Sequence, residues 1–254
     1  MAHLSVENLT MRYGQTLIQR DLNFSIERGE IFAIMGGSGC GKSTLLRHMI
    51  GLIEPAAGRI LYDGQDLWQS PSTERSALLR RCGIAYQSGA LISSMSVAEN
   101  VALPLEEFTS HRPAEIQELV ELKLALVGMS PFAEQMPSQL SGGQKKRAAL
   151  ARALALDPEY LFFDEPSAGL DPISSRNLDD LIIQLRDSLG STVVIVSHEL
   201  PSIFAIADRG LMLDAVSKTQ IAIGNPHELL AHHPDERVQR FLRRGDTDMQ
   251  GEKR

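Results

Sequence analysis

Gly36, Gly41, Lys42 and Ser43 stand at the spacing G-x-x-x-x-G-K-S inside "GGSGCGKSTLL", residues 36–46. Glycines so placed let the backbone wrap a phosphate chain. The loop residues Gly36, Gly37, Ser38, Gly39, Cys40 and Gly41, with Lys42, Ser43 and Thr44 opening the next helix, then aim N–H groups at the negative charge. Lys42 reaches the β- and γ-phosphates, and Ser43 puts its hydroxyl on Mg²⁺. "YLFFDEP" ends an apolar run on two carboxylates, Asp164 and Glu165, where open α/β sheets take their ligands. Asp164 suits the Mg²⁺ side, and Glu165 suits polarising the water that attacks the γ-phosphate. His198 follows "TVVIVS" on the same rim and can hydrogen-bond that phosphate. Gln87, after "CGIAYQ", can link Mg²⁺ and water to the rest of the chain. Tyr13 offers a ring face for adenine, although a single aromatic is more often core.

These residues need a scaffold that sets them on one edge. Strand-like "IFAIM" leads into the glycine loop and helix-like "KSTLLRHMIG" leaves it. The runs "YLFF" and "TVVIV" are short and rich in β-branched or aromatic residues, and "SSRNLDDLIIQLRDSLG" between them has helical periodicity, as in buried parallel strands with crossover helices. Residues 4–35 alternate and break at Gly14 and Gly29, as strands joined by tight turns do. From Ser88 to Arg152 the character is helical. In "RPAEIQELVELKLALVG", Pro113 suits the first turn, Ile116, Leu119, Val120, Leu124 and Val127 share a face, and Gly128 suits the stop. The sequence therefore predicts an α/β core over 1–87 and 153–235, an inserted helical lobe over 88–152, and a C-terminal helix with a mobile tail over 236–254.

The chain has 254 residues, and its 32 acidic against 25 basic residues give a net charge of −7, which argues against a broad nucleic-acid footprint. Its two cysteines, Cys40 and Cys82, have no metal or redox spacing, in keeping with a reducing cytoplasm. The first residues lack a signal pattern and no stretch approaches 18 uninterrupted apolar residues, so any work at a membrane needs another chain to cross it. Cys40 sits within the phosphate loop, so a thiol reagent is expected to inhibit nucleotide turnover.

"LSGGQKKRAALARAL", residues 140–154, adds a second anion cradle, Ser141, Gly142 and Gly143 at a helix start. A compact lobe offers it no second nucleotide of its own, so it needs a partner's phosphate. In order along the chain stand Tyr13, "GGSGCGKS", Gln87, "LSGGQ", "FFDEP", "SAGLD" at 167–171 and His198. This series resembles the ATP-binding-cassette (ABC) family over essentially the whole chain. The resemblance implies a P-loop NTPase of the ABC type: a RecA-like core with an N-terminal antiparallel β subdomain and an inserted helical lobe. It implies Mg-dependent ATP hydrolysis with ATP and Mg²⁺ as cofactors, in a head-to-tail homodimer. Each glycine loop would face Ser141, Gly142, Gly143 and Gln144 of the other copy, with Asp171 communicating between sites.

"YQSGALISSMSVAENVALPL", residues 86–105, and the stretch from Leu140 to Pro172 are similar to the cassette subunit of Mla-type (maintenance of lipid asymmetry) phospholipid transporters. Ile92 departs from the phenylalanine expected in that group while keeping the apolar character. The resemblance implies a peripheral protein on the cytoplasmic face of the bacterial inner membrane. Its implied partners are permease subunits, a periplasmic lipid-binding subunit and a small cytoplasmic STAS-type accessory protein, with no nucleic acid. Leu91, Ile92 and Met95 are expected to receive a permease helix, Lys145, Lys146 and Arg147 read as a solvated helix face, and Val238, Phe241 and Leu242 form a stripe expected to dock on the second cassette or the accessory subunit. Two rivals stand beside this reading. One is the ATPase of a small-solute importer. The other is a soluble ABC ATPase acting on nucleic acid, opposed by the absence of coiled-coil arms and zinc cysteines and by the acidic balance.

Overall fold

The computed structural model describes residues 3–251, with 244–251 described as backbone only. The chain runs β1 (Leu4–Tyr13), β2 (Thr16–Ile26), β3 (Ile31–Gly36), α1 (Lys42–Met49), β4 (Ala57–Tyr62), β5 (Gln65–Asp66), α2 (Ser72–Leu79) and β6 (Cys82–Ala85). Three helices follow, α3 (Val97–Phe108), α4 (Pro113–Leu126) and α5 (Gly142–Ala153). The remainder alternates: β7 (Tyr160–Asp164), α6 (Pro172–Leu189), β8 (Thr192–Val196), α7 (Leu200–Ile206), β9 (Arg209–Asp214), β10 (Thr219–Gly224), α8 (Pro226–His232) and α9 (Glu236–Gly251).

Six strands form one sheet in the order β10-β9-β3-β8-β7-β6, parallel except for the antiparallel edge strand β10. Its central strands are buried on both faces, which is why they read as unbroken apolar runs rather than alternating ones. Period-two geometry sends their side chains into two different cores. Phe162 and Val194 join Phe32, Ile34, Leu45 and Tyr62 between the sheet and α1. Leu161, Phe163, Val193 and Ile195 turn to the other face, where they meet α3, α4, α5 and α6 through Val101, Leu124, Leu150 and Ile182. The helical insertion therefore shares one apolar cluster with the sheet.

A second, antiparallel sheet in the order β2-β1-β4-β5 lies over the α1 face. It is fastened by polar contacts around His3, which stacks on Tyr160 at 4.1 Å between ring centroids and meets Thr192 Oγ1 through Nδ1 at 2.5 Å. Arg81 ties Asp63 to Glu159, and the Tyr160 hydroxyl donates to Asp63 Oδ2 at 3.0 Å. Within the insertion, Ser96 and Glu99 form a reciprocal cap on α3, Pro113 opens α4, and Gly128 follows that helix at φ +68°. The helices of the insertion begin at Val97, after an irregular stretch carrying Leu91, Ile92 and Met95, all part-buried.

The C-terminal stripe lies elsewhere than expected. Val238 and Leu242 are fully buried against Leu200, Ile203, Phe204 and Leu229 of the same chain, with Phe241 beside them. An amphipathic helix satisfies its apolar face with the nearest apolar surface, and α7 and α8 supply it here. The backbone stays helical to Gly251, past Leu242 where the sequence places a mobile tail, and residues 252–254 lie outside the described residues. Leu242→Ala should therefore lower folding stability by about 2–5 kcal/mol, seen as an earlier urea midpoint; an unchanged midpoint would place Leu242 outside the core.

Candidate active site

The C-terminal ends of β3, β7 and β8 converge on one rim. The bend after β3 requires glycine: at Gly36, with φ +142°, an added Cβ would sit 2.5 Å from the Leu213 carbonyl oxygen. Gly41, at φ +99°, heads α1 with no side-chain cap, and a Cβ there would meet Ile18 at 2.7 Å. The first-turn amides of α1 are thus left without a side-chain acceptor at the positive end of a helix dipole, which suits an anion. Lys42 Nζ donates to the carbonyls of Gly36, at 2.9 Å, and Gly37, at 3.4 Å, so it already lies along the loop.

Ser43 Oγ donates to Asp164 Oδ1 at 3.1 Å. Burial raises the Asp164 pKa, against the pull of Ser43, Arg47 and Lys42. A hydroxyl and a desolvated carboxylate facing each other are the oxygen ligands a hard divalent cation takes, and a cation there would oppose the rise that burial causes, so Mg²⁺ fits this pair. Glu165, next in sequence, holds a left-handed backbone at φ +52°. Its Oε1 lies 2.8 Å from His198 Nδ1 and its Oε2 accepts from the His198 amide at 3.3 Å. The histidine thus orients the carboxylate.

Gly36, Gly37, Ser38, Gly39, Gly41, Lys42, Ser43, Thr44, Gln87, Glu165 and His198 line one cleft of about 710 Å³, within the ~300–1,000 Å³ usual for small-molecule sites. Gln87 also lines the adjoining hollow with Asp164 and Ala168. Tyr13 lies outside the cleft lining at the exposed end of β1, 45% accessible, with its hydroxyl accepting from Arg47 of α1 at 3.4 Å. It is not a core residue, and its ring is open to a planar ligand.

Cys40 departs from the expectation. Its side chain is 1% exposed and belongs to the apolar cluster under α1, and burial pushes its thiol pKa up. Its carbonyl is buried as well, held by Gln19 Nε2 at 2.6 Å, and Cys40 is absent from the cleft lining. The loop turns the thiol inward, so a thiol reagent has no direct path to it. Ser141, Gly142, Gly143 and Gln144 do not line the cleft. Ser141 caps α5 in a reciprocal pair with Gln144, and Ser141 and Gly142 are exposed. Asp171, also exposed, caps α6 by accepting from the amides of Ile173, at 3.1 Å, and Ser174, at 3.0 Å; the Ser174 side chain, followed by these amides, holds its carboxyl below the usual range.

The sequence profile of the ABC transporter family matches residues 19–168. The chain belongs to the ABC transporter family. It is 42% identical over 246 residues, 96% of this chain and 91% of the relative, to the intermembrane phospholipid transport system ATP-binding protein MlaF of Haemophilus influenzae. It is 36% identical over 239 residues to the probable ribonucleotide transport ATP-binding protein mkl of Mycobacterium bovis, covering 94% of this chain and 66% of that one. Among solved structures it is similar to cbiO1 from Clostridium perfringens, part of the ABC transporter complex cbiONQ, with a TM-score of 0.83, 32% identity and coverage of 94% and 93%. A dimeric, post-hydrolysis ATP-binding cassette bound to ADP and Pi matches at a TM-score of 0.79 and 29% identity, over 87% of this chain and 98% of that one.

Several residues of this ABC transporter cassette escape sequence reasoning. Phe241 of α9, Leu200 and Pro201 line the cleft beside the glycine loop. Lys146 is no solvated residue: part-buried, it donates to the carbonyls of Pro166, at 2.5 Å, and Ala168, at 2.6 Å. Arg147 donates to the Val127 carbonyl at 3.3 Å. Behind the loop that follows Glu165, Asp179 and Ser167 are buried, and Asp179 Oδ1 and Ser167 Oγ lack partners among the described residues. Burial raises the Asp179 pKa from 3.8 to about 6, with Ser202 and Arg176 opposing and Asp180 adding to the rise. Across that window the folded chain holds a proton that the unfolded chain releases, so stability falls as pH rises through it and the loss is complete above about pH 6. A rise of that size corresponds to about 3 kcal/mol. Asp179→Asn should therefore raise the melting temperature by about 5 °C or more at pH 8 and leave it unchanged near pH 4; a gain that is the same at both pH values would contradict the assignment.

Proposed function

We propose that this chain is the ATP-hydrolysing subunit of a transporter that moves phospholipid between the inner and outer bacterial membranes. The observation that carries this reading is the 42% identity to intermembrane phospholipid transport ATP-binding proteins across nearly the full length of both chains. The assembled cleft supports it. No helix among the described residues is long and apolar enough to cross a membrane, so the lipid path belongs to permease subunits. A periplasmic lipid-binding subunit, a small STAS-type accessory protein and attachment at the cytoplasmic face of the inner membrane complete the proposal. The part-buried Leu91, Ile92 and Met95 are the proposed seat for a permease helix.

Mg-ATP, when bound, supplies the γ-phosphoryl group and the cation that offsets charge on its oxygens. Tyr13 stacks on the base, and the amides from Gly37 to Thr44 hold the phosphate chain. Lys42 leaves the loop carbonyls for the phosphate oxygens and neutralises them. Ser43, Asp164 and Gln87 would hold the cation. Glu165 takes the proton of the attacking water, oriented by His198. Ser141, Gly142, Gly143 and Gln144 cover the same phosphate from a second copy in a head-to-tail pair, with Asp171 at the boundary.

These roles separate by kinetics. Lys42→Ala should weaken nucleotide binding and turnover together, whereas Glu165→Gln should bind Mg-ATP normally, lose ~10²-fold or more in turnover and accumulate as a closed dimer on gel filtration. Turnover near wild type in Glu165→Gln would remove it from the base role.

The substrate is tested by purifying the subunit with its permease from detergent-solubilised membranes and analysing the lipid retained. Co-purified phospholipid, with ATPase activity stimulated by phospholipid vesicles, is the expected result. A complex free of lipid and stimulated by a small solute would favour the importer reading, to which the 36% identity to probable ribonucleotide transport proteins gives some weight.

A further inference from the structure

We propose that Lys146 is a positioning residue for hydrolysis: it ties the helix that receives the partner's phosphate to the peptide that carries this chain's own Glu165. The inference rests on the site reading above, in which α5 caps the opposite nucleotide and Glu165 is the base.

Glu165 and Ser141 belong to different nucleotide sites of the proposed pair, yet Lys146 touches the elements carrying both. Lys146 lies on α5, little more than one turn beyond its Ser141 cap. Its ammonium donates to the carbonyls of Glu165 at 3.4 Å, Pro166 at 2.5 Å and Ala168 at 2.6 Å. Three acceptors match the three donors of an ammonium, so the head group is fully used. Burial lowers the Lys146 pKa, while Glu165 and Glu199 hold the charge in place. Bonds made by a charged donor in such surroundings are stronger than neutral ones.

The residues gripped are the ones that most need holding. Glu165 stands at φ +52°, a left-handed conformation that strains a residue other than glycine. It persists only where the surroundings over-determine it. The Glu165 amide is held by the Val196 carbonyl at 2.8 Å, and His198 holds the carboxylate. Lys146 supplies the constraint on the carbonyl side and carries it on through Pro166 and Ala168 towards Asp171.

α5 is a continuous twelve-residue helix, so a shift of its first turn reaches Lys146. When Ser141 and the first-turn amides of α5 engage the opposite γ-phosphate, the ammonium draws the 165–168 segment with the helix. The carboxylate of Glu165 then takes its hydrolytic position only in a chain whose α5 is engaged. Hydrolysis in one site becomes conditional on the nucleotide in the other. The same helix grips the segment after Gln87 from its far end, where Arg152 donates to the carbonyls of Gly89, at 3.0 Å, and Ala90, at 2.8 Å. α5 therefore reaches two of the three segments that bring polar groups from outside the glycine loop to the cleft, the third being the one that carries His198.

The test uses the full chain in its transporter complex, with ATP hydrolysis followed across ATP concentration for Lys146→Met and Lys146→Arg. Methionine keeps an unbranched apolar stem and removes every donor, whereas arginine restores a multidonor cation. A hydrogen bond to a charged group is worth about 1.5–3 kcal/mol, so Lys146→Met should lose roughly tenfold or more in kcat. Its KM should stay within about twofold and its Hill coefficient should fall from near 2 towards 1, while Lys146→Arg recovers both. A merely structural lysine would change melting temperature and leave the Hill coefficient alone. Unchanged kcat and Hill coefficient in Lys146→Met, or an arginine variant as impaired as methionine, would overturn the proposal. Glu165→Gln is run in parallel: if it still turns over, the site reading has failed, and if only Lys146→Met is normal, the lysine assignment alone falls.

Discussion

The N-terminal turn of α1 is uncapped, and a helix start in that condition is stable only beside an anion or water. Holding it open at a cleft constrains everything around it. The loop must double back between β3 and α1, which forces glycine at 36 and 41 and brings the Leu213 carbonyl too close to Gly36 for any side chain. The strand before it must be rigid, and β3 is rigid because β8 and β9 flank it and both its faces are dry. Because β3, β7 and β8 run parallel, their C-terminal ends fall on one side. Ser43, Asp164, Glu165 and His198 are neighbours for that reason, although their sequence positions are far apart.

The second sheet acts on the same constraint from the side. Ile18 of β2 lies against Gly41, and Gln19 donates both to the Cys40 carbonyl and to the Asp214 carbonyl at the end of β9. The glycine loop is thereby fixed between the two sheets. His3, Asp63, Arg81, Glu159 and Tyr160 fasten the far end of the β subdomain. His3 Nε2 lies 3.7 Å from Asp63 and 3.8 Å from Glu159, which invites a metal reading. Arg28 and Arg81 already neutralise both carboxylates, however, and burial lowers the His3 pKa. The group is an ion-pair clamp between sheets.

The residues legible in the sequence are those whose chemistry is carried by residue type at a fixed spacing. Gly36, Gly41, Lys42 and Ser43 admit few alternatives, and the apolar runs ending at Asp164 and Val196 announce buried strands. What escaped depends on direction rather than type. Cys40 belongs to the loop, but which way its thiol points is set by the left-handed turns at its neighbours Gly39 and Gly41. Lys146 sits in a run of three cations, and its spacing alone cannot tell water from the carbonyls of Pro166 and Ala168. The Val238–Leu242 stripe has the same periodicity whether its apolar face meets a partner or α7 and α8. β5, with two residues, is too short for a pattern to rise above chance, and β10 is a half-buried edge strand without an unbroken apolar run.

In the proposed pair, each copy contributes two half-sites, one at the start of α1 and one at the start of α5. The α1 half has Lys42 and the first-turn amides for phosphate, and the Ser141 turn is absent from its lining among the described residues. The α5 half has an exposed helix start, and Ser141 already satisfies one of its amides through the pair with Gln144. Neither half alone removes water from a γ-phosphate. Electrostatic stabilisation of that group is strong only when water is excluded, so in the proposed pair the chemistry and the closing of the dimer are one event. The free energy of closing must then be transmitted within each copy from α5 to the rim of the sheet. α5 is packed to do this, because Ala148, Leu150 and Ala151 are buried in the same apolar cluster as Leu161 and Phe163 of β7, the strand that leads into the two carboxylates.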